Sequence, residues 1–242
     1  MSSTQTTERA SLSIIIPTLN EAHAIGATLE AARRVRGRVE VIVVDGGSTD
    51  ATAEIARRSG AHVVACERGR GLQMHMGAGA ARGEVLLFLH ADTTAPHDAA
   101  ERINEALARD AEAVGGNFQI QFDGERRAAR FLTWLYPQLR RLGLSYGDSG
   151  IFVRASVYRE VGGFEPFPIF EDLDLVRRLK RRGRMIHLAT PVVTSSRRFE
   201  GRSFALTFAR WSILQMLYWI GVHPRVLARL YAPVRHNAGA RN

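Results

Sequence analysis

Three acidic residues follow closely on β-branched runs. Glu21 ends Pro17-Thr18-Leu19-Asn20-Glu21, Asp45 opens Asp45-Gly46-Gly47-Ser48, and Asp92 closes His90-Ala91-Asp92. An ionised carboxylate is an acceptor only, so Asp45 suits a nucleobase N–H and Glu21 suits ribose hydroxyls. Asp92 suits Mg²⁺ or Mn²⁺, which take oxygen ligands, commonly one or two carboxylates completed by phosphate oxygens. Together these preferences predict a nucleoside diphosphate. A simpler role stays open for each acid, namely capping the helix that follows it, which for Asp92 is the helix near Pro96. His90 either ligates the metal as neutral imidazole or merely closes its strand.

The runs before these loops read as buried strands: Leu12 to Ile16, Val39 to Asp45, Ala61 to Cys66 and Val85 to His90. Amphipathic segments alternate with them. Glu21 to Val35 is one, and a second runs to Arg58 after the capping residues Ser48-Thr49-Asp50. Leu72 to Ala81 is a third, and a fourth starts at Pro96 and ends near Ala108. This β-α-β-α order predicts an α/β fold with a mostly parallel sheet covered on both faces. Such sheets bind ligands at the carboxyl ends of their strands. Residues 11–110 are therefore expected to form a nucleotide-binding half.

The second half is less regular. Ala113 to Phe122 and Ser149 to Arg154 read as strands, Glu125 to Leu142 and Glu171 to Arg182 as helices, the last entered through Phe170-Glu171-Asp172-Leu173-Asp174. Residues 111–200 are expected to form a mixed, acceptor-side half. The stretch Phe204 to Val222 is the most apolar, but Arg210 and Gln215 interrupt it well short of the ~18 to 20 residues of a membrane span. Residues 201–242 are thus expected to be a helical extension that is buried, forms a homodimer contact, or lies against anionic lipid through Arg202, Arg210, Arg225 and Arg229.

Composition narrows the classes. The 242 residues are 45% hydrophobic and 24% charged, which excludes disorder, collagen and coiled coil. Cys66, the single cysteine, can form no intramolecular disulfide, and no cysteine cluster exists for zinc. Residues 1–10 are expected to be disordered and lack a signal-peptide profile, so a cytoplasmic location is expected, with peripheral contact at the inner face of the membrane as its variant. Net charge is +9, and of 33 basic residues only Lys180 is lysine. That excess favours anionic partners, although paired arginines usually mark a solvated helix face. No specific nucleic-acid motif accompanies it.

The loop after Ile16 has no glycine, which disfavours a dinucleotide-binding G-x-G-x-x-G turn, a Walker loop and a sugar-nucleotide pyrophosphorylase loop. The segments Ser13-Ile14-Ile15-Ile16-Pro17-Thr18-Leu19-Asn20-Glu21, Val44-Asp45-Gly46-Gly47-Ser48-Thr49-Asp50, Leu89-His90-Ala91-Asp92 and Phe170-Glu171-Asp172 resemble the successive motifs of family 2 glycosyltransferases of the GT-A fold. The similarity runs from about Leu12 to Arg198. Gly69-Arg70-Gly71-Leu72-Gln73-Met74, His90-Ala91-Asp92-Thr93, Gly147-Asp148-Ser149-Gly150 and Ser196-Arg197-Arg198 resemble the subgroup found with radical-SAM and selenium-related genes.

The resemblance implies an inverting transfer from a nucleotide sugar, with a UDP- or GDP-sugar as donor. Asp172 would be the general base, with Glu171 beside it at the catalytic position, although Glu171 and Asp174 crowd the same helix start and remain alternatives. Pro17, Thr18, Glu21, Asp45, Gly47, Arg70 and Asp92 would contact the nucleotide, Asp92 through Mn²⁺ or Mg²⁺. Asp148 would contact donor or acceptor sugar, and Arg197 and Arg198 the diphosphate. The chain departs from the family pattern at His90, where Asp-x-Asp is common, and at Gly46, where a second Asp is common. Thr207-Phe208-Ala209-Arg210-Trp211 only partly resembles the motif of processive members, so processive synthesis is not expected. Two other classes remain: a non-catalytic binding protein on the same fold, and a sugar-phosphate nucleotidyltransferase, which would release pyrophosphate.

Overall fold

Every residue of β1 (Leu12–Thr18) is buried, as a strand covered on both faces and flanked on both edges must be. The computed structural model describes residues 12–123, 149–195 and 204–230, together with 130, 131, 133–135 and 138. β1 pairs in parallel with β2 (Val39–Asp45) on one side, Thr18 opposite Asp45, and with β4 (Val85–Phe88) on the other. β3 (His62–Ala65) continues the parallel set beyond β2. Alternate residues of β1 serve opposite faces. Leu12, Ile14 and Ile16 pack with Ile25 and Leu29 of α1 (Ile25–Arg33), Ala56 of α2 (Thr52–Arg58) and Ile103 of α4 (Ala99–Arg109). Ile15 packs with Met74 of α3 (Arg70–Ala80), Tyr158 of α5 (Ala155–Glu160) and Leu175 and Leu179 of α6 (Glu171–Leu179).

The sheet continues into the second half without a break. Its order is β3-β2-β1-β4-β7-β6-β8-β5, with β5 at Thr93–Thr94, β6 at Ala113–Phe122, β7 at Ile151–Arg154 and β8 at Arg184–Thr194. β7 is antiparallel to both β4 and β6, β6 is parallel to β8, and β5 is antiparallel to β8. The mostly parallel sheet and its mixed second half are both present. The sequence pattern singles out neither the two-residue β5 nor the long β8. β8 opens in the basic run Arg181-Arg182-Gly183-Arg184, and Pro191 interrupts it. The register steps from Phe118 opposite Leu188 to Gln119 opposite Pro191, so the proline falls at an irregularity where a missing N–H is tolerated.

Helix starts differ from the sequence expectation by a few residues. α1 begins at Ile25 rather than Glu21, because Asn20 is left-handed (φ 56°) and the next residues form a turn. The helix expected from Pro96 begins at Ala99, whose N–H donates to the Pro96 carbonyl at 3.0 Å. The expected helix Glu125 to Leu142 lies largely outside the described residues. The apolar stretch forms α7 (Phe204–Trp219), followed by α8 (Pro224–Leu230). Among the described residues no helix is long and apolar enough to cross a membrane.

α3 approaches the sheet closely at Gly77, where a Cβ would lie 2.5 Å from Ile15 Cγ2 and 2.8 Å from Val44 Cγ2. Gly77→Ala is therefore expected to cost about 1 to 3 kcal/mol through overpacking. Gly79→Ala on the same helix meets nothing within 4 Å and should stabilise by roughly 0.5 to 1 kcal/mol. Urea unfolding of the two variants checks the contrast, and equal effects would refute the close packing.

Candidate active site

Parallel pairing places the carboxyl ends of β2, β1 and β4 side by side, so Asp45, Thr18 and the loop to Asp92 share one sheet edge. β2 and β4 lie two strand spacings apart, about 10 Å. The Asp45 carboxylate is held in a fixed orientation. Oδ2 accepts the Ser48 N–H at 3.0 Å, while Oδ1 accepts the Ser48 hydroxyl and, at 3.4 Å, that of Thr18. A carboxylate offers about four lone-pair positions, so acceptor capacity remains for a ligand. Asp45 does not cap α2, which begins at Thr52 without a side-chain cap. Gly47 has φ 87°, a conformation that turns the chain at little steric cost without a Cβ.

The first two loops are laced together. Asn20 Oδ1 accepts the Thr49 N–H at 2.8 Å, the Asn20 N–H donates to Ser48 Oγ at 2.9 Å, and the Glu21 N–H donates to Thr52 Oγ1 at 2.8 Å. Asp50 joins the same lattice by accepting from the Ala22 N–H. Burial pushes the Asp50 carboxyl up, but its hydrogen bonds from Thr52 and Ala22 outweigh that effect and hold it below the usual carboxylate range. The Glu21 carboxylate lies 3.8 Å from His23 Nε2 and does not cap α1.

Gln73 is the residue whose role sequence reasoning missed. Its buried amide donates through Nε2 to the carbonyls of Thr18 and Val44, both at 2.8 Å, clamping the ends of β1 and β2 to α3. Gly46 makes room for it, since a Cβ there would sit 3.0 Å from the Gln73 amide. The signal in the sequence is a polar residue on the helix face that Gly71, Met74 and Gly77 turn inward.

Asp92 is half-buried in the turn between β4 and β5, well before the start of α4, so it does not cap that helix. Thr28 Oγ1 donates to the Ala91 carbonyl at 2.7 Å, and the Asp92 carbonyl accepts the Ser195 N–H at 3.2 Å. The chain beyond Ser195 thus departs from beside Asp92. Arg197, Arg198 and Asp148 lie outside the described residues.

The acid cluster at the start of α6 divides by environment. Glu171 is 1% exposed, and its Oε1 accepts from Nε of Arg70, the first residue of α3, whose side chain is 42% exposed. Asp174 Oδ2 accepts from Arg178 Nε at 2.8 Å. Asp172 is half-buried, and its Oδ1 accepts the Leu173 N–H at 2.8 Å. Phe170, just before the cluster, is left-handed with φ 60°. A bulky residue in that region costs roughly 1 to 3 kcal/mol and persists only where packing imposes it. Its ring is held by Trp211 and Tyr218, at centroid distances of 5.8 and 5.2 Å.

Among the described residues no three His, Cys, Asp or Glu side chains group as a metal site. Asp92 alone suits a hard cation whose remaining ligands are phosphate oxygens and water. A groove of about 1300 Å³, lined by Glu40, Arg82, Glu84 and Arg154 among others, lies at the amino ends of the parallel strands, away from these acids.

Residues 13–160 match the sequence profile of Glycosyl transferase family 2. An undecaprenyl-phosphate 4-deoxy-4-formamido-L-arabinose transferase from Edwardsiella ictaluri is 31% identical over 158 residues, covering 60% of this chain and 48% of that protein. The succinoglycan biosynthesis protein ExoA of Rhizobium meliloti is 32% identical over 213 residues, 76% of this chain and 62% of its own. The chain thus spans about half the length of the first of these relatives. Among solved structures, the mannosyltransferase PcManGT from Pyrobaculum calidifontis, in complex with GDP-Man and Mn²⁺, superposes with a TM-score of 0.66 at 22% identity, covering 87% of this chain and 63% of that one. The Mycobacterium tuberculosis glucosyl-3-phosphoglycerate synthase, with Mn²⁺, UDP and glucosyl-3-phosphoglycerate, superposes at 0.59 and 22% identity over 89% and 81% of the two chains. The shared fold is of the GT-A type.

Removing Arg70 would leave the buried Glu171 charge without its arginine. Arg70→Ala is expected to cost about 2 kcal/mol, below the 3 to 5 of a fully buried pair because Arg70 is partly in water. Adding Glu171→Gln should recover part of that loss. A double-mutant cycle read by denaturant unfolding checks this, and strict additivity would refute the coupling.

Proposed function

The chain belongs to glycosyl transferase family 2, and from that premise we propose that it transfers a sugar, with inversion, from a nucleoside-diphosphate sugar to an acceptor hydroxyl. The observation that carries the reading is the convergence of Asp45 and the Asp92 loop on one sheet edge, tied through the Arg70–Glu171 pair to the turn that bears Asp172. Asp45 accepts from the nucleobase, its orientation set by Ser48 and Thr18. Pro17 and Gly47 line the same turns, and Glu21 accepts from ribose. Asp92 would hold Mn²⁺ or Mg²⁺, which when bound offsets charge on the departing diphosphate. Arg197 and Arg198 add positive charge from the segment beyond Ser195, and Asp148 contacts a sugar. UDP- and GDP-sugars are the donors proposed, by analogy with the ligands of the two superposed structures.

Asp172 takes the proton of the acceptor hydroxyl as its oxygen bonds to the anomeric carbon. The bond from that carbon to the diphosphate oxygen breaks on the opposite face, and its electron pair leaves with the nucleoside diphosphate. The likeness of Phe170-Glu171-Asp172 to the family's Glu-Asp motif favours Asp172 for contact with substrate, and Glu171, 1% exposed, is the less accessible of that pair. The place of Asp172 in the first turn of α6 favours the ionised form that a base requires. Glu171 and Arg70 are positioning residues in this reading. The motifs around Arg70, His90, Asp148 and Arg197 favour membership of the subgroup associated with radical-SAM and selenium-related genes.

Calorimetric titration with UDP- and GDP-sugars, with and without Mn²⁺, tests the donor site, and absence of binding under every condition would end the proposal. Asp45→Ala is expected to weaken donor binding roughly tenfold or more through loss of a charge-assisted hydrogen bond. Asp172→Asn is expected to lower turnover about 10²- to 10⁴-fold with donor affinity nearly unchanged. A non-catalytic binding protein would show no turnover for Asp172→Asn to diminish.

A further inference from the structure

We propose that the α7–α8 hairpin is a docking surface for an anionic lipid membrane, on which it lies without crossing. Its inward face packs on the rest of the fold. Leu214 and Tyr218 of α7 and Leu227 of α8 pack against Ile169, Phe170 and Leu173. Its outward face is apolar and open to water. Ile213, Met216 and Ile220 recur at helical spacing with Trp219 beside them, all more than half exposed, Ile220 at 73%. On α8, Val226 and Leu230 stand four residues apart and at least half exposed, next to Arg225 and Arg229, also four apart and exposed. An apolar column alongside a basic one is the pattern of a helix that lies in the membrane interface.

Charge selects the occupant. Residues 201–242 contain six arginines and no aspartate or glutamate, although the whole chain has 24 acids. No described acid pairs with the side chain of Arg225 or Arg229. A second copy of the chain seated on this face would bring like charges together with no acid from the extension to meet them. A layer of anionic headgroups attracts each arginine, while Trp219 suits the boundary between headgroups and acyl chains. α7 has 16 residues, short of the ~20 a span requires, so contact lies in the plane of the surface. Because the inward face of α7 holds the Phe170 ring, docking would keep the Asp172 turn within about a helix diameter, ~10 Å, of the headgroups.

This inference goes beyond the proposed transfer and is tested without donor or turnover. The full chain is floated with vesicles of phosphatidylcholine alone, and with vesicles containing about 30% phosphatidylglycerol, at low and high salt. Binding to the anionic vesicles alone, weakening as salt rises, is expected. Trp219→Ser with Ile220→Ser, and separately Arg225→Glu with Arg229→Glu, should each lower partitioning roughly tenfold or more with melting temperature unchanged. Failure to bind anionic vesicles at low salt would overturn the proposal. So would undiminished binding by both variants, which would place the contact on other arginines. If Trp219→Ser with Ile220→Ser instead turned a dimer into a monomer while leaving flotation unaltered, the face would belong to a second copy.

Discussion

Burying a strand on both faces and both edges leaves its ends as the only places where polar groups can meet solvent, and β1 is in that position. Its seven residues are all buried between β2 and β4, with helices above and below. The parallel arrangement then aligns the carboxyl ends of three neighbouring strands. Polar residues that follow them in sequence, although up to 71 positions apart from Glu21 to Asp92, emerge on one edge. The site is thus a consequence of hydrophobic burial, and substitutions that shift β1 within the sheet would move all of its parts together.

Alignment of strand ends does not by itself fix side chains, and here a second set of interactions does so. The Gln73 amide, buried and bonded to the carbonyls of Thr18 and Val44, prevents the ends of β1 and β2 from separating. Breaking one such bond would leave a buried carbonyl unsatisfied, at about 1 to 3 kcal/mol. Among the described residues, two that are not glycine, Asn20 and Phe170, adopt the left-handed conformation, and both sit where a loop delivers a segment of the candidate site. Asn20 is compensated locally through Ser48 and Thr49. Phe170 has no such polar compensation in its side chain and depends on Trp211 and Tyr218 of α7. The C-terminal hairpin therefore helps to hold the turn that carries Asp172.

Much of the first half of the chain is legible in sequence because its signals are local. Runs such as Ile14 to Ile16 and Val41 to Val44 are β-branched, and each is followed by polar or glycine-rich residues. The acids at those boundaries stand out by residue type and position alone. What escapes is non-local. Arg70 reads as a loop charge near a nucleotide, yet it pairs with Glu171 across 101 positions. Glu171 and Asp172 are adjacent carboxylates of like chemistry, and burial against Arg70 is what sets Glu171 apart. β8 escapes for a different reason. Its pattern is broken by Pro191 and by two residues inserted opposite β6, so no period of two survives along its length.

The sign of the site sets a final constraint. Glu21, Asp45 and Asp92 all lie along the edge proposed to receive a diphosphate, and like charges at short range in a partly desolvated cleft repel by several times their value in water. The arrangement is consistent only if the acids face different parts of the ligand. Asp45, fixed by Ser48, and Glu21 sit on the loops after β2 and β1, where neutral base and ribose donors can meet them. Asp92 follows β4 on the other flank of β1, beside the exit of the segment bearing Arg197 and Arg198. In the proposed reading, a carboxylate and a diphosphate approach one another there with a cation between them. If Asp92 and the diphosphate share that cation, affinity for metal and affinity for nucleotide should each rise in the presence of the other, by linkage.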